Sequence, residues 1–309
     1  MNLIQRRYQP DDYWRIRNFL REVYLLNDRR ELCWQTYRFD YWRWHGVENI
    51  DHFQLEDVIT LWETSDQQIA AVLHPEGRGE AFLQVHPTWR TPELEAEMVM
   101  VAEQQLAQRE ADGKSNLTVW ANEQDALRRD LLVRRGYAKG DWPEYQRRRS
   151  ILEPIADVPL ASGYVIRSVG DGAELIERCY ASGLAFHPDE IQYAIGNRDV
   201  TWYRNIQNAP LYRRDLDLVA IASDGSVAAF CTIWFDDVTR TGSFEPVATV
   251  PAHQRRGLGK AVMTEGLRRL QRLGATQATV GSYSVHAGAL YDSMGFTAYD
   301  LGERWIKEV

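Results

Sequence analysis

QRRGLG, residues Gln254 to Gly259, lies between a strand-like run and a long amphipathic stretch. Two glycines two residues apart, preceded by Arg255 and Arg256 and followed by Lys260, make a loop whose backbone amides can approach an anion closely. Glycine has no Cβ to hold a ligand away and tolerates positive φ. A helix starting here aims its unpaired N-terminal amides, and the positive end of its dipole, at the same point. The stretch therefore predicts a site for a phosphate or pyrophosphate.

Two common phosphate loops do not fit. A Walker loop ends in Gly-Lys-Ser/Thr, whereas Gly259-Lys260 is followed by Ala261. A dinucleotide fingerprint needs glycine or alanine three positions after Gly259, where the chain has Val262. The pattern Gln/Arg-x-x-Gly-x-Gly/Ala does fit, and with it the surrounding VATVPAHQRRGLGKAVMTEGLRRLQRLGA resembles the pyrophosphate loop of the GNAT acyltransferase superfamily. Downstream, ALYDSMGF places Tyr291 ahead of Gly295-Phe296 as that family's Leu-Tyr-x-x-x-Gly-Phe does. The two motifs are correctly ordered around a predicted helix and strand.

At 309 residues the chain suggests about two domains, and 44% hydrophobic with 26% charged residues is ordinary for a globular protein. No apolar run approaches a membrane span, and MNLIQRRYQPDDYW lacks a signal-peptide core, so neither a membrane partner nor export is expected. Cys33, Cys179 and Cys231 are odd in number and far apart, which points to a reducing, cytoplasmic setting. A net charge of −8 argues against a nucleic-acid partner. Arg128, Arg129, Arg134, Arg135, Arg147, Arg148 and Arg149 are read as a solvated helix face and basic linker. No zinc spacing appears among the histidines and cysteines, so no metal is expected.

The chain reads as two related halves. Residues 1–150 form a first domain, 151–163 (ILEPIADVPLASG) a linker, and 164–309 a second domain. Each half has strands leading to a proline turn, a long helix, another strand, and a short helix ending in Gly-aromatic. Pro87 and Pro251, and Gly136 and Gly295, recur at nearly the same offset. In the second half, Val262, Met263, Leu267, Leu270 and Leu273 fall near helical spacing, with Glu265, Arg268, Arg269 and Arg272 on the other face. The first half has TWRTPELE where the second has QRRGLG, with Pro92 replacing an amide donor, and Leu132 where the second has Tyr291. It is expected not to bind coenzyme A.

The resemblance implies an α/β (α+β) fold: two tandem GNAT units, each a mixed, mostly antiparallel sheet flanked by helices, the first degenerate. It also implies acetyl-CoA or another acyl-CoA as co-substrate and direct transfer of an acetyl or short acyl group to an amine in a ternary complex. Gln254, Arg255, Arg256, Gly257, Leu258, Gly259 and Lys260 would hold the pyrophosphate. Val247, Ala248, Thr249 and Val250 would run beside the pantetheine, where two strands of the fold part. Pro246 fits a strand edge, start or bulge. Tyr291 is the candidate acid for the departing thiolate, with a core tyrosine as the alternative. Glu245 is the candidate base, with a salt-bridged surface carboxylate as the alternative. Asp236 and Asp237 could bind a cationic acceptor or cap a turn. Ser284 stands where the family often has an asparagine that bonds pantetheine, and His286 is nearby.

The segment CWQTYRFDYWRWH, Cys33 to His45, is expected to be an amphipathic helix packing between the halves or an aromatic wall. The partner is a small-molecule or peptide amine, with a homodimer left open. A non-catalytic acyl-CoA-binding or scaffold protein is the rival, distinguished by Tyr291 and Glu245, which a mere binder does not need.

Overall fold

The computed structural model describes residues 3–109, 111 and 113–309, and the chain divides into two units of one plan. The first runs β1 (Ile4–Arg7), α1 (Asp12–Leu26), α2 (Thr36–Tyr41), a π-helical stretch (Trp42–Asp51), α3 (Leu55–Val58), β2 (Thr60–Glu63), β3 (Ile69–His74) and β4 (Glu80–Val85). It continues with α4 (Pro92–Gln105), β5 (Gln108–Arg109), β6 (Ser115–Asn122), α5 (Ala126–Arg134) and β7 (Ala138–Lys139). After β8 (Glu144–Ser150) the second unit has β9 (Tyr164–Ser168), α6 (Ala173–Phe186), α7 (Ile191–Gly196), α8 (Thr201–Gln207), β10 (Asp217–Ala222), β11 (Val227–Asp236) and β12 (Thr241–Thr249). It closes with α9 (Leu258–Arg272), β13 (Gln277–Ser282) and α10 (Val285–Asp292), before β14 (Thr297–Glu308).

In the second unit, β9, β10, β11 and β12 are successive antiparallel neighbours, and β13 lies parallel to β12. The first unit repeats this with β1, β2, β3 and β4 antiparallel and β6 parallel to β4. Each unit is thus a mixed, mostly antiparallel sheet with flanking helices. The parallel pair arises because a helix crosses over between its two strands, α4 in one unit and α9 in the other.

The local reasons are plain for α9. Val262, Met263, Leu267 and Leu270 are all fully buried against β11 and β12 in one core cluster. Each such side chain contributes about 1.5–3 kcal/mol by leaving water. Arg269 and Arg272 stand in the last turn, where cations suit the dipole. Gly274, at φ 83°, ends the helix: its amide donates to the Gln271 carbonyl at 3.0 Å and Ala275 donates to that of Leu270 at 3.0 Å. That pair of bonds is a Schellman closure.

The observed units differ from a simple head-to-tail division. Residues 151–163 group with the second unit, which comprises Arg147–Thr297. Ile151 is fully buried in its core, and the Gln271 amide donates to the carbonyls of Ile151 and Glu153 at 2.9 and 3.0 Å. Residues Ala298–Val309 group instead with the first unit, because β14 pairs antiparallel with β6 from Gly302 opposite Asn122 to Glu308 opposite Asn116.

Cys33 to His45 is not one amphipathic helix. Only Thr36–Tyr41 is α-helical, the chain then widens into the π-helical stretch, and Cys33 and Trp34 precede both. Cys33, Trp34, Phe39 and Trp42 pack into a core of the first unit. Arg128 is likewise no solvated side chain: it is 3% exposed and bonds Glu95 through two nitrogens at 2.9 Å.

Candidate active site

β12 and β13 are joined over three residue pairs only, ending with Ser243 opposite Thr279. Beyond that point β12 stays paired to β11 on its other side, through to Thr249 opposite Ala229. The strands part at a bulge, where Glu245 and Pro246 together stand opposite the single residue Thr232, between the pairs Cys231–Val247 and Ile233–Phe244. An extra residue on one strand bends it and raises its twist, which turns the end of β12 away from β13. Proline suits this position because it has no amide to leave unpaired.

A cavity of about 720 Å³ occupies the gap. It is lined by Val247, Ala248 and Thr249 from β12, by Gln254, Arg255, Gly257, Leu258, Gly259 and Lys260 from the loop and α9, and by Ser284 and Tyr291 at α10. Ala185, Phe186, His286, Ala287 and Leu290 complete the wall. Val250, Arg256 and Glu245 do not line it. Val250 is buried, its amide donating to the Ala228 carbonyl at 2.9 Å. Arg256 turns aside to donate to the Tyr164 hydroxyl at 2.7 Å. Glu245 sits at the bulge, its carbonyl accepting from the Trp234 indole at 2.6 Å.

The mouth of the cavity is built by backbone. Gly257 is the N-cap of α9 in the left-handed region, φ 75°, and no side chain caps the helix. A Cβ placed on Gly257 would meet nothing within 4 Å, so the space before the first amides of α9 is open. Arg255 also adopts a positive φ, 63°, which folds the loop back toward that opening. The Lys260 ammonium reaches the Ser293 carbonyl at 3.1 Å, and the Gln254 amide reaches that of Thr249 at 3.2 Å. This is a fitting cradle for an anion: unpaired amides, the positive end of a helix dipole, and cationic side chains in one place.

At the other end, Tyr291 is 5% exposed and packs at 6.3 Å, ring centre to ring centre, from Phe296. Burial first, and the nearby Glu245 carboxylate second, push its phenol well above its ordinary range, while Arg147 pulls the opposite way. The hydroxyl therefore stays protonated at any working pH and remains a donor. Ser284 caps α10 by accepting from the Ala287 amide at 3.1 Å, which leaves its own hydroxyl proton to give. Asp236 is buried and accepts from Thr239 at 3.1 Å and from the Val238 amide at 3.4 Å, so it closes the β11–β12 turn.

The first unit has the same notch, filled. β4 and β6 pair only at Glu80–Thr118 and Ala81–Val119 and then part. Across the gap lies the segment before α2: the Val85 amide donates to Cys33 Sγ at 3.3 Å, and the Trp34 amide donates to Gln84 Oε1 at 2.8 Å. Trp34 packs on His74 and Phe82, at ring distances of 4.3 and 4.8 Å. About 50 Å³ of space remains. The helix that follows is closed to anions too. Thr91 caps α4 by accepting from the Leu94 amide at 3.2 Å, Pro92 removes a donor, and Glu93 puts negative charge in the first turn.

Sequence reasoning missed Arg147, which contacts the helix of Tyr291, and Ala185 and Phe186 at the end of α6. Leu290 could have been found, since it is the leucine of the Leu-Tyr motif.

Residues 180–296 match the Acetyltransferase (GNAT) family, a span that contains β12, the loop and Tyr291. A mycothiol acetyltransferase from Kineococcus radiotolerans is 25% identical over 229 residues, which is 72% of this chain and 71% of that one. Among solved structures, a GCN5-related N-acetyltransferase from Sphaerobacter thermophilus superposes with a TM-score of 0.68 at 18% identity, covering 99% of this chain and 95% of its own. A tandem GNAT protein from the clavulanic acid biosynthesis pathway gives 0.64 at 14% identity, covering 99% and 98%. Both structures speak to the fold, across both units.

Proposed function

We propose, from the premise that this chain belongs to the tandem GNAT proteins, that its second unit transfers an acetyl group from acetyl-CoA to an amine. The observation that carries the reading is the cavity of about 720 Å³ between the parting strands, with an uncapped helix N-terminus at one end and Tyr291 at the other. The residues present fit the co-substrate. Amides at Leu258, Gly259 and Lys260 would take the pyrophosphate, and the open edge of β12 at Val247 to Thr249 would run beside the pantetheine. Arg256, held by Tyr164, would contribute positive field rather than contact.

Acetyl-CoA supplies an acyl thioester. Glu245, at the bulge, would remove a proton from the acceptor ammonium, directly or through a water. The freed amine nitrogen forms its bond to the carbonyl carbon as the carbon–sulfur bond breaks. Tyr291 would hydrogen-bond the departing sulfur and give it a proton, and the new amide nitrogen would return its surplus proton to the phenolate; the donor role is typically worth about 10²–10⁴ in rate. Transfer is direct, which needs both substrates bound together. The buried, unpaired Cys33, Cys179 and Cys231 support a reducing, cytoplasmic setting, and among the described residues no helix is long and apolar enough to cross a membrane.

The relatives that carry the name mycothiol acetyltransferase make a mycothiol-type amine the first acceptor to test. Thiol release from acetyl-CoA, followed across that amine, polyamines, amino-acid derivatives and peptide N-termini, tests the reading. Release with at least one amine, abolished or strongly slowed in Tyr291→Phe, supports it. Tight acetyl-CoA binding with no release from any amine would establish a binding protein instead.

A further inference from the structure

We propose that Arg147 is the positioning residue of Tyr291: it ties the end of β13 to α10 and so fixes the phenol at the wall of the cavity. This rests on the reading of Tyr291 as proton donor. Arg147 comes from β8 and keeps only 11% of its side chain exposed. Its Nη1 donates to Ser282 Oγ at 2.8 Å, at the last residue of β13. Its Nε donates to Asp292 Oδ1 at 3.1 Å, at the last residue of α10. Between these anchors the guanidinium lies against the helix backbone: a Cβ on Gly288 would come within 2.7 Å of Nη2.

Gly288 and Tyr291 are three residues apart and share a face of α10. The small residue lets the guanidinium pass one turn before the phenol, and the planar fork reaches strand and helix at once, which a lysine ammonium cannot. The positive charge also opposes Glu245 in its effect on the phenol. α10 has eight residues and follows β13 after only Tyr283 and Ser284; its apolar side packs into the core, and Arg147 is the side chain that ties its far end back to β13.

The test is a double-mutant cycle on kcat, using whichever amine turns over. Arg147→Met should lower kcat by about 100-fold, the scale of a misplaced catalytic group, with little change in KM for acetyl-CoA. Arg147→Lys should recover part of the loss. In a Tyr291→Phe background, Arg147→Met should cost little more. An equal loss in both backgrounds, or an unchanged kcat, overturns the positioning role. Full turnover by Tyr291→Phe alone overturns the proton-donor reading and this inference with it. Should circular dichroism find Arg147→Met unfolded, Ser282→Ala, which removes one anchor, carries the same cycle with a smaller expected loss.

Discussion

Ser243 and Thr279 share a hydrogen bond of 2.8 Å, with both hydroxyls buried, at the last residue pair that holds β12 and β13 together. The bond marks the apex of the gap. On one side of it the sheet is continuous; on the other, the bulge at Glu245 and Pro246 turns β12 aside and a cavity opens. The candidate base Glu245 thus lies two residues past the apex, and its carboxylate is among the causes that raise the Tyr291 phenol.

Gly257 separates backbone strain from ligand blockade. A Cβ there has room, so Gly257→Ala should cost only the left-handed penalty, about 1–2 kcal/mol, and keep measurable acetyl-CoA binding. Gly257→Glu should melt near the alanine variant yet lose binding, because it sets a carboxylate before the amides of α9. Calorimetry that finds wild-type affinity in the glutamate variant would show that the pyrophosphate lies elsewhere.

Acetyl-CoA should bind with a stoichiometry of about one per chain, since the first unit fills its notch with Cys33 and Trp34 and caps its helix with Thr91. Two sites by calorimetry would mean that the segment before α2 leaves the gap.

The rate of transfer should not fall through loss of the acid near pH 10, where an ordinary tyrosine ionises. Burial and Glu245 raise the Tyr291 phenol above that range, so its proton is held as the pH climbs. The profile of kcat is expected to rise as the acceptor amine deprotonates and then stay level to about pH 10. A descending limb in that region that Tyr291→Phe lacks, with the fold intact by circular dichroism, would show that the phenol ionises in its ordinary range.

Glu31 gives the first unit a pH-dependent stability. Burial is the main cause that pushes its carboxyl up to about 7, and the neighbouring carboxylates of Asp300 and Glu144 add to it, against hydrogen bonding from Gln35 and the charge of Arg38. The unfolded value is about 4.3. A group raised in the folded state contributes stability in full below its unfolded pKa and loses it as the pH rises through the folded one. Melting temperature should therefore decline between about pH 5 and 8 in the wild type. Glu31→Gln should flatten that decline and melt higher than wild type at pH 8. Parallel curves for the two proteins would show that Glu31 titrates normally.

The parts legible in the sequence are those whose geometry is local. QRRGLG, the apolar face of α9 and the Tyr291 motif each span a turn or a helix, so residue type and spacing carry them. The filled notch was not legible, because Cys33 meets Val85 and Trp34 meets Gln84 across about fifty residues of chain. Only the missing glycines of TWRTPELE hinted at it. Arg128 and Arg147 looked like solvent-facing charges because their partners, Glu95, Ser282 and Asp292, are brought to them by the fold. The pairing of β14 escaped for a related reason: nothing within TAYDLGERWIKE says that its neighbour is β6, about 180 residues earlier.

That last strand has a consequence for how the polypeptide is made. β14 completes the sheet of the first unit, yet the ribosome delivers it only after the whole of the second. The earlier unit must wait, with the edge of β6 uncovered, until β14 has emerged. A gene cut at the midpoint would thus yield an aminoterminal fragment short of one strand and a carboxyterminal fragment whose last strand has lost β6 as its neighbour.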